Sequence, residues 1–275
     1  VLNRVLISKK SFLNLHKMFC SILISNYNKS DYIIECINSC INQSYKDFEI
    51  IFSDNSSTDD SLEKISNYKG IKVINTPRDN NFSATNQITT LLEAFNHSRG
   101  DFIFFLDADD SFELTKIEKI TNIVKEKNFD FICDVPNLIY ENQPQKIFKK
   151  NSKFPLLRNW PIIFPTSTIS CSRTFFLRFQ RYLLKNSFSQ LEIDFRLNVY
   201  AHLIEKNRSI LDRNLTNYNQ VNDGIMSSYN KFGNRWWKKR KQAHDYLKKI
   251  HEMKDLSYKT NIDYFITNTI NKFLK

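Results

Sequence analysis

Between residues 19 and 135 the chain alternates short apolar, β-rich runs with longer segments whose apolar residues recur at helical spacing. The runs are FCSILIS (19–25), FEIIFS (48–53), IKVIN (71–75), DFIFFL (101–106) and DFICDV (130–135). Between them, helices are predicted over 31–42 (Ile33, Ile34, Ile37 and Ile41 on one face), 59–68, 84–97 and 114–127 (Ile117, Ile120 and Val124), with Gly100 closing the third. Strands separated by helices require crossover connections, so the expectation is a mainly parallel α/β sheet with helices on both faces. Ligands of such sheets bind beyond the carboxyl ends of the strands.

The residues at those ends are polar: Asn26, Tyr27 and Asn28 after the first strand, Asp54 to Ser57 after the second, and Asp107, Ala108, Asp109 and Asp110 after the fourth. After residue 136 the pattern loosens around Pro136, Pro144, Pro155, Pro161 and Pro165. Helices are expected again near 174–184, 190–205 and within 231–275.

Glycine is scarce, and Gly70, Gly100, Gly224 and Gly233 lie too far apart for a dinucleotide fingerprint, a P-loop or a nucleophile elbow. No apolar run approaches the roughly 18 residues of a membrane-spanning helix. Five cysteines without a C-x-x-C pair read as buried thiols of a reducing compartment, hence a cytoplasmic protein. No histidine or cysteine pattern suits structural zinc. The net charge of +11 suits phosphate-bearing partners, whether nucleic acid, anionic lipid or an activated nucleotide; a plain lysine-rich surface accounts for it equally well.

The sharpest signal is FIFFLDADDS, a buried strand that delivers three carboxylates in four residues. Like charges so close repel unless a cation binds them, and hard oxygens suit Mg²⁺ or Mn²⁺ bridging to a diphosphate. The other reading of such a cluster is a solvated turn.

Here the sequence resembles the family 2 glycosyltransferases of the GT-A fold, a Rossmann-like, nucleotide-diphospho-sugar transferase architecture. The resemblance runs from about Phe19 to Ser227, through SILISNYNKSDYIIECINSCINQSYKDFEIIFSDNSSTDDS, RGDFIFFLDADD and LEIDFRL. It implies that Ser25 and Tyr27 line the nucleobase pocket, that Asp54 and Asn55 lie near base or ribose, that Asp107 touches ribose or metal, and that Asp109 holds Mn²⁺ or Mg²⁺ on the diphosphate. It also implies Asp194 as the base.

Three positions depart from the family pattern. Asn55 replaces a carboxylate, which bears on the assignment of a UDP-sugar. Thr85-Asn86 replaces an Arg-Asn pair, leaving Arg78 or Arg99 to contact phosphate. Tyr218-Asn219-Gln220-Val221 lacks a histidine.

Direct displacement at an anomeric carbon needs a stabilised diphosphate leaving group and one carboxylate to deprotonate the incoming hydroxyl, and it inverts configuration. Ser189 and Glu192 have capping-box spacing, which would engage Glu192 with a backbone N–H and leave Asp194 the freer carboxylate. Arg235-Trp236-Trp237 is similar to the Q-x-x-R-W of processive synthases, but Phe232 stands in the glutamine position. The basic aromatic stretch Trp236 to Lys241 then either docks on the domain or touches an anionic membrane.

The expected division is an extension (1–17), a GT-A domain (18–228, with a donor half 18–135 and an acceptor half 136–228) and a basic helical appendage (229–275). The expected activity is non-processive, inverting transfer of one sugar from a nucleotide-diphosphate sugar to a glycan or lipid-linked acceptor, at the inner face of the cell membrane, with no nucleic acid partner. An inert homologue serving as an interaction domain and a nucleotidyltransferase are the competing readings; the latter needs a glycine-rich first loop that SNYNKSDY lacks.

Overall fold

The computed structural model describes residues 17–79, 82–140, 148, 159–221 and 230–274. The expected extension, apart from Lys17, and the boundary at 228–229 lie outside the described residues, as do Pro144, Pro155 and Gly224.

The first half follows the alternation: β1 (Cys20–Asn26), α1 (Ile33–Ile41), β2 (Phe48–Asp54), α2 (Ser61–Ser66), β3 (Ile71–Asn75), α3 (Ser83–Asn96), β4 (Phe102–Asp107), β5 (Ser111–Phe112) and α4 (Lys116–Lys127). Then come β6 (Phe131–Tyr140), a 3₁₀ turn (Thr166–Thr168), β7 (Ile169–Ser172), α5 (Arg173–Leu183) and α6 (Ile193–Val199), which widens into a π turn over Tyr200–Glu205. β8 (Ser209–Gln220), α7 (Asn234–Glu252) and α8 (Ile262–Phe273) complete the order.

One eight-stranded sheet runs β3-β2-β1-β4-β7-β6-β8-β5. β3, β2, β1 and β4 are parallel. The mainly parallel sheet expected from the sequence is present, and its antiparallel part begins beyond β4, where β7 enters between β4 and β6. β7 has only four residues and comes from a segment without strong periodicity, so its place is set by pairing with two neighbours. The sheet is therefore mixed, and the chain reverses direction around β1 and β4, where their loops diverge and open a crevice.

Alternation along the strands divides the core. Ile22, Ile24, Phe102, Phe104 and Leu106 pack on one face against Ile33, Ile37, Ile117 and Ile120 of α1 and α4. Leu23, Ile103 and Phe105 point to the other face, against residues of α3, α5, α6 and α7. Both faces are covered, which is why these strands read as continuous apolar runs. All five cysteines are buried and form no disulfide.

Gly100 has a different role from the expected one, since His97 caps α3. A Cβ at Gly100 would lie 2.4 Å from the Ser21 backbone nitrogen, so a side chain there would clash with β1. The Gly100 N–H donates to Ser21 Oγ (2.8 Å).

Two buried cations organise the second half, and one of them also ties it to the first. Lys116 is fully buried, 2.9 Å from Asp134, and its Nζ also donates to the Ser167 carbonyl (2.7 Å) and Thr216 Oγ1 (2.6 Å). Arg196, equally buried, donates to the carbonyls of Leu183, Leu184, Ser187, Phe188 and Leu191, gathering the chain between α5 and α6. Burial lowers the Arg196 guanidinium to about 10.

The C-terminal segment is helical as expected. Ala243, Tyr246, Leu247 and Ile250 of α7 enter the same core as the sheet, so α7 docks on the domain. Trp236 and Trp237 are half-buried and stack edge to face on each other.

Candidate active site

A cavity of about 640 Å³ opens at the carboxyl ends of β1 and β4, walled on the far side by α6 and β8. Ser25, Tyr27, Asn55, Asp107, Asp109 and Asp194 all line it. Asp54 does not. It is buried, with Oδ1 accepting from Asn26 Nδ2 (2.7 Å) and Ser57 Oγ (2.6 Å) and Oδ2 from the Ser57 N–H (2.8 Å). Its role here is to join the loops after β1 and β2.

Tyr27 presents its ring to Arg78, whose guanidinium carbon lies 3.3 Å from the ring centroid. Arg78 Nη1 donates to Asn55 Oδ1 (2.8 Å), while Asn55 Nδ2 donates to the Pro77 carbonyl (3.0 Å). This arrangement uses both halves of an amide, and a carboxylate at residue 55 could accept from Arg78 but could not donate to Pro77. Of the two arginines considered for phosphate, Arg78 reaches the cavity. Arg99 stands at the opposite ends of the strands, beside Glu49 (3.6 Å).

The three carboxylates after β4 diverge. Asp107 Oδ1 accepts from Gln87 Nε2 of α3 (2.8 Å), and its N–H donates to Ser167 Oγ (3.0 Å). Burial, and then Asp109, push the Asp107 carboxyl up to about 7. Asp109 Oδ2 faces Lys29 Nζ at 3.1 Å.

Asp110 turns inward instead. It accepts from Ser167 Oγ and from the Asn219 N–H (2.8 Å), and burial, Asp109 and Asp107 hold its carboxyl well above the usual range. The helix that follows begins at Lys116 behind Thr115, so Asp110 is not its cap.

Asp107 and Asp109 form a sparse donor set, and among the described residues no cluster of three histidine, cysteine, aspartate or glutamate side chains could enclose a metal. Mg²⁺ sites in phosphoryl chemistry commonly use one or two carboxylates with waters and substrate phosphates. Asp107 and Asp109 therefore could serve as two ligands of a hard divalent cation, whose remaining ligands would have to come from water or a bound phosphate.

Across the cavity Asp194 lies in the first turn of α6, where Oδ1 accepts the Phe195 N–H (2.6 Å). Burial and the neighbouring Glu192 raise its carboxyl to about 7, while Lys239 acts in the opposite direction. The predicted Ser189–Glu192 capping box does not form. Glu192 is the residue before α6 and its carboxylate pairs with Lys239 of α7, because Arg196 gathers the preceding carbonyls into a turn. Tyr218, Asn219, Gln220 and Val221, at and just after the end of β8, line the cavity where a histidine was noted as missing.

Several residues of this site escaped the sequence reading. Gln87 and Ser167 orient Asp107, and Lys29 and Lys239 bring positive charge to the two acidic groups. Only Gln87 had a local signal, standing beside the Thr85-Asn86 departure. The others are brought in by tertiary packing.

A family model described as "Glycosyl transferase family 2" matches residues 21–183, more than half of the chain. The chain belongs to this family. It is 36% identical over 112 residues to an uncharacterized glycosyltransferase of Haemophilus influenzae, covering 39% of this chain and 43% of that one. The chain spans less than half the length of the curated relatives it matches.

Among solved structures it is similar to residues 1–349 of S. aureus TarS in complex with UDP-GlcNAc (TM-score 0.62, 17% identity, 84% of this chain and 67% of that one). It is also similar to the mannosyltransferase PcManGT of Pyrobaculum calidifontis in complex with GDP-Man and Mn²⁺ (TM-score 0.59, 12% identity, 94% and 70%). The fold of this family 2 member is accordingly GT-A.

Proposed function

We propose that this chain is a non-processive, inverting glycosyltransferase that moves one sugar from a nucleotide-diphosphate sugar, a UDP-sugar by preference, to a hydroxyl of a glycan or lipid-linked acceptor. The observation that carries the reading is the placement of Asp107 and Asp109 on one wall of a single cavity and Asp194 on another.

In this reading Tyr27, Arg78 and Asn55 hold the nucleoside, and Ser25 supports the wall behind it. Asp107 and Asp109 would hold Mn²⁺ or Mg²⁺, which stabilises the leaving diphosphate. Asp194 takes the proton of the acceptor hydroxyl as its oxygen forms the bond to the anomeric carbon. The bond from that carbon to the diphosphate oxygen breaks on the opposite side, inverting the configuration. UDP as the carrier is supported by the similarity to a fold solved with UDP-GlcNAc, and Mn²⁺ by the similarity to one solved with GDP-Man and Mn²⁺.

We place the reaction at the cytoplasmic face of a membrane. No helix among the described residues is long and apolar enough to cross one. Contact with anionic lipid would use α8, where Ile262, Phe265, Ile266 and Phe273 are exposed beside the basic α7.

A thermal-shift panel of UDP, GDP and other nucleoside diphosphates, with and without Mn²⁺, tests the donor site. UDP with Mn²⁺ is expected to raise Tm most, since a ligand that binds only the folded protein stabilises it. Absence of a shift with every nucleotide in both conditions overturns the reading.

A further inference from the structure

Lys29 lies in the loop that leaves β1, and that loop is held firmly. Asn28 has φ 51°, its N–H donates to Ser57 Oγ (3.0 Å), and its Oδ1 accepts the Thr58 N–H (2.8 Å). The Lys29 carbonyl accepts the N–H groups of Tyr32 and Ile33, both at 3.0 Å, so the residue also anchors the turn that leads into α1. Fixed in this way, the Lys29 side chain lines the cavity and brings its ammonium to 3.1 Å from Asp109 Oδ2, with the two side chains only 14% and 16% exposed.

That ammonium stands beside an oxygen that a divalent cation would use. A monovalent ammonium and a divalent ion cannot both lie against one carboxylate oxygen without strong repulsion, because like charges a few ångströms apart are poorly screened in a partly buried site. A lysine side chain is flexible and its charge compact, so it can turn to another anion nearby. In the reading given above, that anion is the donor diphosphate.

We propose that Lys29 is an exchangeable internal counter-ion: its ammonium neutralises Asp109 before the donor binds, yields that carboxylate to the divalent cation, and passes to the diphosphate. Cation and nucleoside diphosphate then bind cooperatively, since each helps to release Lys29 from Asp109. This rests on the donor-site reading of the cavity.

Calorimetry on the full chain tests it, with Mn²⁺ alone, UDP alone in EDTA, and UDP with Mn²⁺, on wild type, Lys29→Met, Lys29→Gln and Lys29→Arg. Losing the competing charge should make Lys29→Met and Lys29→Gln bind Mn²⁺ alone about tenfold more tightly than wild type, and UDP in EDTA about tenfold more weakly. The enhancement of UDP affinity by Mn²⁺ should shrink in both, and Lys29→Arg should stay near wild type. If both neutral variants match wild type for Mn²⁺ alone, or bind it more weakly, the counter-ion proposal is overturned. Unchanged UDP affinity in EDTA overturns the transfer to diphosphate. Should wild type bind UDP neither with nor without Mn²⁺, the donor-site reading itself fails, an outcome distinct from both.

Discussion

Lys239 of α7 pairs with the carboxylate of Glu192, two residues before Asp194, so a helix from the C-terminal segment supplies charge to the Asp194 wall of the cavity. The groups around Asp194 are Glu192, Lys239, Asp107 and Tyr218. Glu192 and Asp107 favour its protonated form and Lys239 favours its ionised form. With the carboxyl at about 7, transfer by wild type should rise with pH through a midpoint near that value. Lys239→Met removes the one cation of the set, and the midpoint should move to higher pH while the plateau rate changes less. A kcat/KM profile against pH on both proteins checks this, and an unmoved midpoint counts against Asp194 as the titrating base.

Asp194→Asn should keep nucleotide affinity and lose turnover by a factor on the order of 10² or more, since a general base takes no part in holding the donor. Glu192→Gln should retain more activity, because its pairing with Lys239 places it in support. Turnover of both variants with the same donor and acceptor decides between the two carboxylates. A dead Glu192→Gln beside an active Asp194→Asn reverses the assignment.

The same group makes a stability prediction. Its folded value, about 7, lies above the unfolded value of about 3.9, so the folded protein holds an extra proton between those limits and loses stability as pH rises through them. Asp194→Asn resembles the protonated form at every pH. Its Tm should exceed that of wild type above pH 7, and the difference should vanish below about pH 4.

Lys116→Met should destabilise the protein by about 3–5 kcal/mol, because Asp134 would remain buried without its cation. Lys116→Met combined with Asp134→Leu should recover part of that loss, and denaturant unfolding of the single and double variants measures it. Asp110→Ala should also destabilise, by about 1–3 kcal/mol, since Ser167 and Asn219 lose a buried acceptor.

Charge reversal at Lys239 or Arg240 would not isolate membrane contact, because these residues pair with Glu192 and Asp263. Phe265→Ser with Ile266→Ser, on the exposed side of α8, is the cleaner test. Sedimentation with anionic vesicles should fall for this variant and should fall for wild type at high salt. Equal sedimentation of variant and wild type removes α8 from the contact.

The sequence by itself determined the parallel half of this protein, since strands covered on both faces must be apolar throughout and the helices between them must carry a period, as β1 to β4 and α1 to α4 do. It also determined which wall of the cavity holds Asp107 and Asp109, because a residue after a parallel strand has only one edge to occupy. Tertiary structure alone decided that Asp110 turns inward to Ser167 and Asn219, that Asp54 is buried against Asn26 and Ser57 and does not line the cavity, and that Glu192 pairs with Lys239 in place of capping a helix. It likewise decided the reach of Lys29 to Asp109 and the insertion of β7. The physical reason is range: strand and helix periods follow from neighbours in sequence, whereas the partner of a polar side chain depends on which distant segment packing brings to within about 3 Å of it.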